Sequence, residues 1–373
     1  MSRRIWILVL SFVIVAMLTA CAAPVPPTVA PAEPAKPAEA AKPAEPAAAD
    51  AKAPAAASGK LTVLCTPQED WCVAVTKAFQ EETGIETNYV RLSSGESVAR
   101  LRAGKDNPEF DVWFGGPMDG YEVAKTEGLI EPYVSPNAAT IKDTLKDKDG
   151  YWTGIYVGAL GFCSNKDVMK SLGLDIPDSW DDLLDSKLKG QIAMAHPATS
   201  GTAFTALWTI NTLQGGDMEK SFEYYKKLNN SILQYTKTGS APGPMAGRGE
   251  IAIAIIFSHD CVKFQKEGMT SLVTSFPNEG TGYEIGGVGI VKGNRNPDAA
   301  KKWIDWVLTA KTQEIAATVN SFQLPTNPDA AVPPEAVKLD TINLVNYDFI
   351  ASAGAKKDMT ERFDAEIAPA PKE

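Results

Sequence analysis

Residues 60–92 read KLTVLCTPQEDWCVAVTKAFQEETGIETNYVRL, and how this stretch divides decides the fold. Its opening, KLTVLC, is an apolar run of strand length. Thr66-Pro67-Gln68-Glu69 then predicts a helix start, with Thr66 as N-cap, Pro67 in the first helical position and Glu69 completing a capping box. Trp71, Val75, Ala78 and Phe79 recur on one helical face, and Gly84 marks the stop. IETNYVRL (85–92) is a strand again. Strand, helix and strand in so short a span form one βαβ unit.

The alternation continues downstream. Ser93-Ser94-Gly95-Glu96 is a second capping box ahead of SVARLRAG, and FDVWFGG (110–116) is a third strand. GALGFCSN (158–165), KGQIAMAH, EIAIAIIF and EIGGVGIVKG read as further strands. Pro177-Asp178-Ser179-Trp180 opens a short helix, Thr199-Ser200-Gly201-Thr202 opens the helix AFTALWTINTL, and Ser258 opens one that ends before Gly268. PDAAKKWIDWVLTAKTQEIAATV predicts one long amphipathic helix, with Ala300, Trp303, Ile304, Val307 and Leu308 at helical spacing. The order predicts an α/β protein with mostly parallel sheets and helices on both faces.

The N-terminus gives an address. Residues 1–20, MSRRIWILVLSFVIVAMLTA, place Arg3 and Arg4 before an unbroken apolar run, as a secretory signal peptide does. Leu18-Thr19-Ala20-Cys21 resembles the bacterial lipobox, which implies cleavage before Cys21 and a diacylglyceryl thioether on its sulfur. Residues 21–58 continue as an Ala, Pro, Glu and Lys spacer that cannot bury a core. At about 3.1 Å per residue such a spacer reaches on the order of 100 Å. A tethered, extracytoplasmic globular domain is the expectation, lipid-anchored to a bacterial membrane. Cys65, Cys72, Cys163 and Cys261 remain, an even number that fits two disulfides in an oxidising compartment. Three pairings are open, and buried free thiols are an alternative. Cys65–Cys72, close in the chain, with Cys163–Cys261 is the favoured arrangement. Neither CxxC nor a paired-histidine spacing occurs, so no metal site and no cofactor is expected.

Residues 59–373 exceed what one core usually supports, so two lobes are expected. The net charge of −10, near −12 once Arg3 and Arg4 are cleaved away, argues against nucleic acid or anionic lipid as partners. Each strand-to-helix junction leaves backbone N–H groups at the positive end of a helix dipole. Several such ends converging at the carboxyl edge of a parallel sheet make an anion site.

The blocks FQEETGIETNYVRLSSGESVARLRAGKDNPEFDVWFGGPMDGYEVAKTEGLIEPY, IPDSWDDLLDSKLKGQIAMAHPATSGTAF, GRGEIAIAIIFSHD and EGTGYEIGGVGIVKGNRNPDAAKKWIDWVL together resemble extracellular solute-binding proteins of ABC importers. The subgroup is that of ferric-ion, aminoethylphosphonate and hexose-phosphate binders. The resemblance implies a two-lobe periplasmic-binding-protein fold, type 2-like, with a ligand cleft between lobes. It implies residues 59–157 and 283–325 in lobe 1, 158–282 in lobe 2 and a C-terminal helical segment at 326–373. Hinge crossings are expected near 155–160 and 280–285, with a monomer docking on permease subunits.

Ferric binders of this group carry adjacent tyrosines where this chain has Phe257-Ser258-His259-Asp260, and its Tyr224-Tyr225 pair sits in a helical packing pattern. Iron therefore loses weight. Ser258, His259, Asp260 and Glu284 match the hexose-phosphate binders. Thr66, Ser93, Ser94, Gly95, Thr199, Ser200, Gly201 and Thr202 offer hydroxyls and amides suited to phosphate oxygens. A protonated His259 would add a charge-assisted donor. Ionised Asp260 and Glu284 are acceptor-only and suit sugar hydroxyls or an ammonium group. A small anionic solute with a donor-rich tail is expected: a sugar phosphate first, aminoethylphosphonate or ferric ion as alternatives. His196, before Pro197, either faces the cleft or fills a strand end. Consecutive Ser-His-Asp on a strand end cannot form a hydrolytic triad, and no GxSxG, Walker or zinc motif occurs, so no enzyme is expected. A sensor's ligand-binding component is the alternative of another class.

Overall fold

A computed structural model describes residues 59–371; the signal peptide, Cys21 and the spacer to residue 58 lie outside the described residues. Eleven strands make one continuous sheet: β1 (Lys60–Cys65), β2 (Glu86–Arg91), β3 (Val112–Pro117), β4 (Ile130–Glu131), β5 (Thr153–Asn165), β6 (Ile192–Ala195), β7 (Ile232–Thr236), β8 (Ile253–Phe257), β9 (Leu272–Ser275), β10 (Tyr283–Val291) and β11 (Leu324–Pro325). The main path runs β2-β1-β3-β10-β5-β8-β6-β7. Pairing is parallel within β2-β1-β3 and within β8-β6-β7, and antiparallel at the two long strands between them.

Each parallel triplet is covered on both faces, as strands that are apolar throughout require. On β1, Leu61 and Val63 face the helices Glu69–Thr83 and Pro297–Val307 through Phe79, Trp303 and Ile304, while Leu64 packs with Val98, Trp113 and Tyr121 on the other side. On β6, Ile192 and Met194 meet Phe204 and Leu207 of the helix Gly201–Leu213, and Ala193 faces Met245 and Phe264. This is an α/β two-lobe binding-protein fold. The lobes share β5. Residues Thr153–Ala159 of β5 pair with β10, and Leu160–Asn165 pair with β8 and β9. The chain crosses between the lobes there, and again where Leu160 N–H donates to the Gly282 carbonyl at 2.9 Å.

Several local expectations are corrected. The first helix begins at Glu69 with Gln68 as N-cap, not at Thr66. Thr66 is held elsewhere: its Oγ1 accepts from Trp113 Nε1 at 2.8 Å. Within the Thr199–Thr202 opening, Ser200 is the cap, its Oγ accepting from Ala203 N–H. The long helix predicted over 297–319 is three pieces, Pro297–Val307, Ala310–Gln313 and Ile315–Thr318, because Thr309 caps a new start by accepting from Thr312 N–H. The strand read at 158–165 is the second half of β5. Near the C-terminus, the helix Phe349–Glu366 is joined to one lobe by Lys356 Nζ to Asp119 Oδ2 at 2.7 Å and to the other by Arg362 to Glu219.

Candidate functional site: a closed cleft between two lobes

Four strand-to-helix junctions, two from each lobe, converge at the carboxyl ends of the parallel strands. They are β1 into Glu69–Thr83, β2 into Ser94–Ala103, β6 into Gly201–Leu213 and β8 into Ser258–Lys266. Between them lies a small polar cavity of about 60 Å³. Of the residues singled out in the sequence, Thr66, Ser93, Ser94, Ser200, Gly201, Thr202, His259, Asp260 and Glu284 line it.

Three others lie beside it. The Thr199 carbonyl accepts from Ser93 Oγ at 2.5 Å and from Gly95 N–H at 3.0 Å, so Gly95 and Thr199 join the lobes at the rim. A side chain at position 95 would collide with the backbone of Ala198 and Thr199, which is why only glycine permits this approach. Ser258 is buried outside the cavity wall. His196 is buried away from the cleft; its Nδ1 accepts from Ala198 N–H at 3.2 Å and its Nε2 donates to the Ala368 carbonyl at 2.8 Å. It fills the strand end and fastens the C-terminal segment there. Burial lowers its pKa, against the opposing pull of the Ala368 carbonyl and Asp364.

The wall divides by chemistry. One group is hydroxyl- and amide-rich: Ser93, Ser94, Ser200, Gly201 and Thr202 stand at helix starts whose first-turn N–H groups suit an anion. The other is acidic: His259 Nε2 lies 3.7 Å from Glu284 Oε1 and 3.9 Å from Asp260 Oδ1, and Gln68 Nε2 donates to Asp260 Oδ1 across the cleft. Gly158 makes room for this group, since a Cβ there would sit 2.6 Å from His259 Nδ1. Burial, then Asp260 and Asp119, pushes Glu284 well above the usual carboxylate range. Its carboxyl holds a proton more readily than an ordinary side-chain acid, and in that form it can both donate and accept. Burial also lowers the His259 pKa, although Asp260 pulls the other way.

Sequence reasoning missed several wall residues, including Gln68, Arg91, Tyr156, Ser240 and Gln323. Arg91 matters most. Among the described residues lining the cavity it is the one Lys or Arg, and its Nε donates to the Pro67 carbonyl at 3.0 Å, which fixes the guanidinium at the end of β2. His259 Nδ1 and Gln323 Oε1 are buried in the wall without a hydrogen-bond partner, a costly state that a polar ligand would relieve. Further contacts close the cleft: Lys237 to Glu96 at 2.7 Å, Lys263 to Asp70, and Lys263 Nζ to the Val319 carbonyl at 2.9 Å. No cluster of three His, Cys, Asp or Glu able to hold a metal ion occurs among the described residues. Tyr224 and Tyr225 pack in the core, with Tyr224 donating to the Trp180 carbonyl at 2.7 Å.

Two lobes joined by a shared strand and closed over a polar cavity define a protein that captures a small ligand. The chain belongs to the bacterial extracellular solute-binding protein family, whose profile matches residues 74–343. It is 39% identical to an uncharacterised protein of Haemophilus influenzae over 83% of this chain and 91% of that one. A structure of the periplasmic binding protein AfuA from Actinobacillus pleuropneumoniae, with exogenous fructose-6-phosphate bound, superposes with a TM-score of 0.80 at 38% identity, over 83% of this chain and 98% of that chain. A putative 2-aminoethylphosphonate-binding periplasmic protein of Salmonella typhi is 26% identical over 79% of this chain and 87% of its own.

Proposed function

We propose that this protein is the membrane-tethered capture component of an ABC importer and that its solute is a sugar phosphate. The observation that carries this is the divided wall. Helix-start hydroxyls and amides, with Arg91 as the cation, suit a phosphate. Asp260, Glu284 and Gln68 suit the hydroxyls of a sugar. The raised pKa of Glu284 lessens the negative charge that would otherwise repel the anion. The fructose-6-phosphate on the AfuA structure supports the same class.

Capture proceeds without chemistry on this reading. Ser258 lies outside the cavity wall, so Ser258-His259-Asp260 presents no nucleophile to the ligand. Binding between the lobes stabilises the closed form through bending at the β5 and β10 crossings, and that form docks on the permease. The lipid on Cys21 keeps the domain at the membrane. A thermal-shift screen over fructose-6-phosphate, other hexose phosphates, 2-aminoethylphosphonate, ferric citrate and inorganic phosphate tests the assignment. A ligand at 100 times its Kd stabilises by about 2.7 kcal/mol. Hexose phosphates are expected to give the largest shifts. A dominant shift with 2-aminoethylphosphonate or ferric citrate would reassign the solute.

A further inference from the structure

Each half of the cavity wall is anchored by a disulfide. Cys65, the last residue of β1, is bonded to Cys72 near the start of the helix Glu69–Thr83, with a Cα–Cα distance of 6.1 Å. The loop between them carries Thr66, Pro67 and Gln68 into the cavity. Cys163 of β5 is bonded to Cys261 of the helix Ser258–Lys266, with a Cα–Cα distance of 5.5 Å. Cys261 directly follows His259 and Asp260, which line the cavity from the other lobe. All four sulfur-bearing residues are fully buried.

These two helices share a second feature. Neither N-cap residue, Gln68 or Phe257, accepts a hydrogen bond on its side chain from the helix. By contrast, the helix Gly201–Leu213 is capped by Ser200, whose Oγ takes Ala203 N–H. A side-chain cap fixes a helix start but consumes one of its free N–H groups. A covalent bond from the helix to a neighbouring strand fixes the start and consumes none. The two anchored starts also face each other, since Gln68 Nε2 donates to Asp260 Oδ1.

We infer that the two disulfides are positioning elements of the binding site. They hold the Gln68 and the His259-Asp260 helix starts in register across the cleft without themselves occupying a first-turn N–H, although in the first helix Asp70 Oδ1 takes Trp71 N–H at 2.9 Å. This rests on the sugar-phosphate reading only in its choice of probe ligand.

The test uses C65S/C72S and C163S/C261S in the folded, secreted-form protein, well below their melting temperatures. Amide hydrogen exchange is measured without ligand, and affinity for fructose-6-phosphate is measured by calorimetry. Faster exchange confined to residues 66–72 in the first variant and 257–262 in the second is expected, with affinity at least tenfold weaker in each. If a serine pair does not fold, the volume-filling pairs C65A/C72V and C163V/C261A replace it. Lower melting temperatures with unchanged local exchange and unchanged affinity would overturn the inference and leave the disulfides as fold staples. If wild-type protein binds no fructose-6-phosphate yet the local exchange difference appears, the solute assignment fails while the positioning role stands.

Discussion

Arg91 and Glu284 show what side chains do here that their types alone do not announce. Arg91 ends a strand, NYVR, whose alternation reads as an ordinary solvent-facing charge; only the closing of the second lobe turns it into a cavity wall. Ser93, Ser200 and His259 were legible because helix-start chemistry is local, whereas Gln68 and Gln323 enter the site by tertiary placement alone. Arg91→Met is expected to weaken fructose-6-phosphate binding about 100-fold by calorimetry, as loss of a charged hydrogen-bond donor implies, with stability changed by about 1 kcal/mol or less. Undiminished affinity would remove Arg91 from the anion site. Glu284 gives a pH test. The folded protein keeps a proton on Glu284 that the unfolded chain releases above about pH 4.3. Stability is therefore lost as pH rises from there toward the raised folded value. Glu284→Gln keeps a neutral group and abolishes this loss, so its melting temperature is expected to gain on wild type as pH rises above about 4.3. A difference that does not vary with pH would show that Glu284 is ionised in the fold.

Helices and strands carry the next level of the account. The alternation of strands and capped helices was readable because hydrophobic period and cap residues are local signals. The full length of β5 and the short edge strands β4, β9 and β11 were not. They depend on partners distant in sequence, as when β5 serves both lobes. The disulfides act unequally at this scale. Their sequence separations are 7 and 98 residues, and loop-closure entropy assigns about 2 kcal/mol to the shorter and about 4.7 kcal/mol to the longer. Denaturant unfolding of the two serine pairs is expected to rank them in that order; the reverse order would show that native packing outweighs chain entropy. The C-terminal helix offers a separate test. Asp119 is fully buried and its carboxylate meets Lys356 Nζ at 2.7 Å. Lys356→Met leaves that charge unpaired and is expected to cost about 3 kcal/mol in urea unfolding. A change under about 0.5 kcal/mol would mean that the helix is held by its other contacts, Arg362 to Glu219 and the buried Phe363.

For the molecule as a whole, the working parts are two lobes, one shared strand and a small set of polar contacts that hold the cleft shut. Lys263 is the strongest of these contacts by placement: it is buried, it pairs with Asp70, and it donates to the Val319 carbonyl. Glu267, one turn along its own helix at 2.9 Å, keeps it partnered when the lobes separate. Small-angle scattering of ligand-free Lys263→Ala is expected to show a larger radius of gyration than wild type, with both compacting on solute; equal radii without ligand would place the latch elsewhere. The central claim is that one cavity grips a phosphate at one part of its wall and a sugar at another. Calorimetric titration with fructose-6-phosphate, fructose and inorganic phosphate under one set of conditions tests it most directly. The account predicts that the joined ligand binds at least 100-fold more tightly than either half, and inorganic phosphate binding as tightly as fructose-6-phosphate would contradict it.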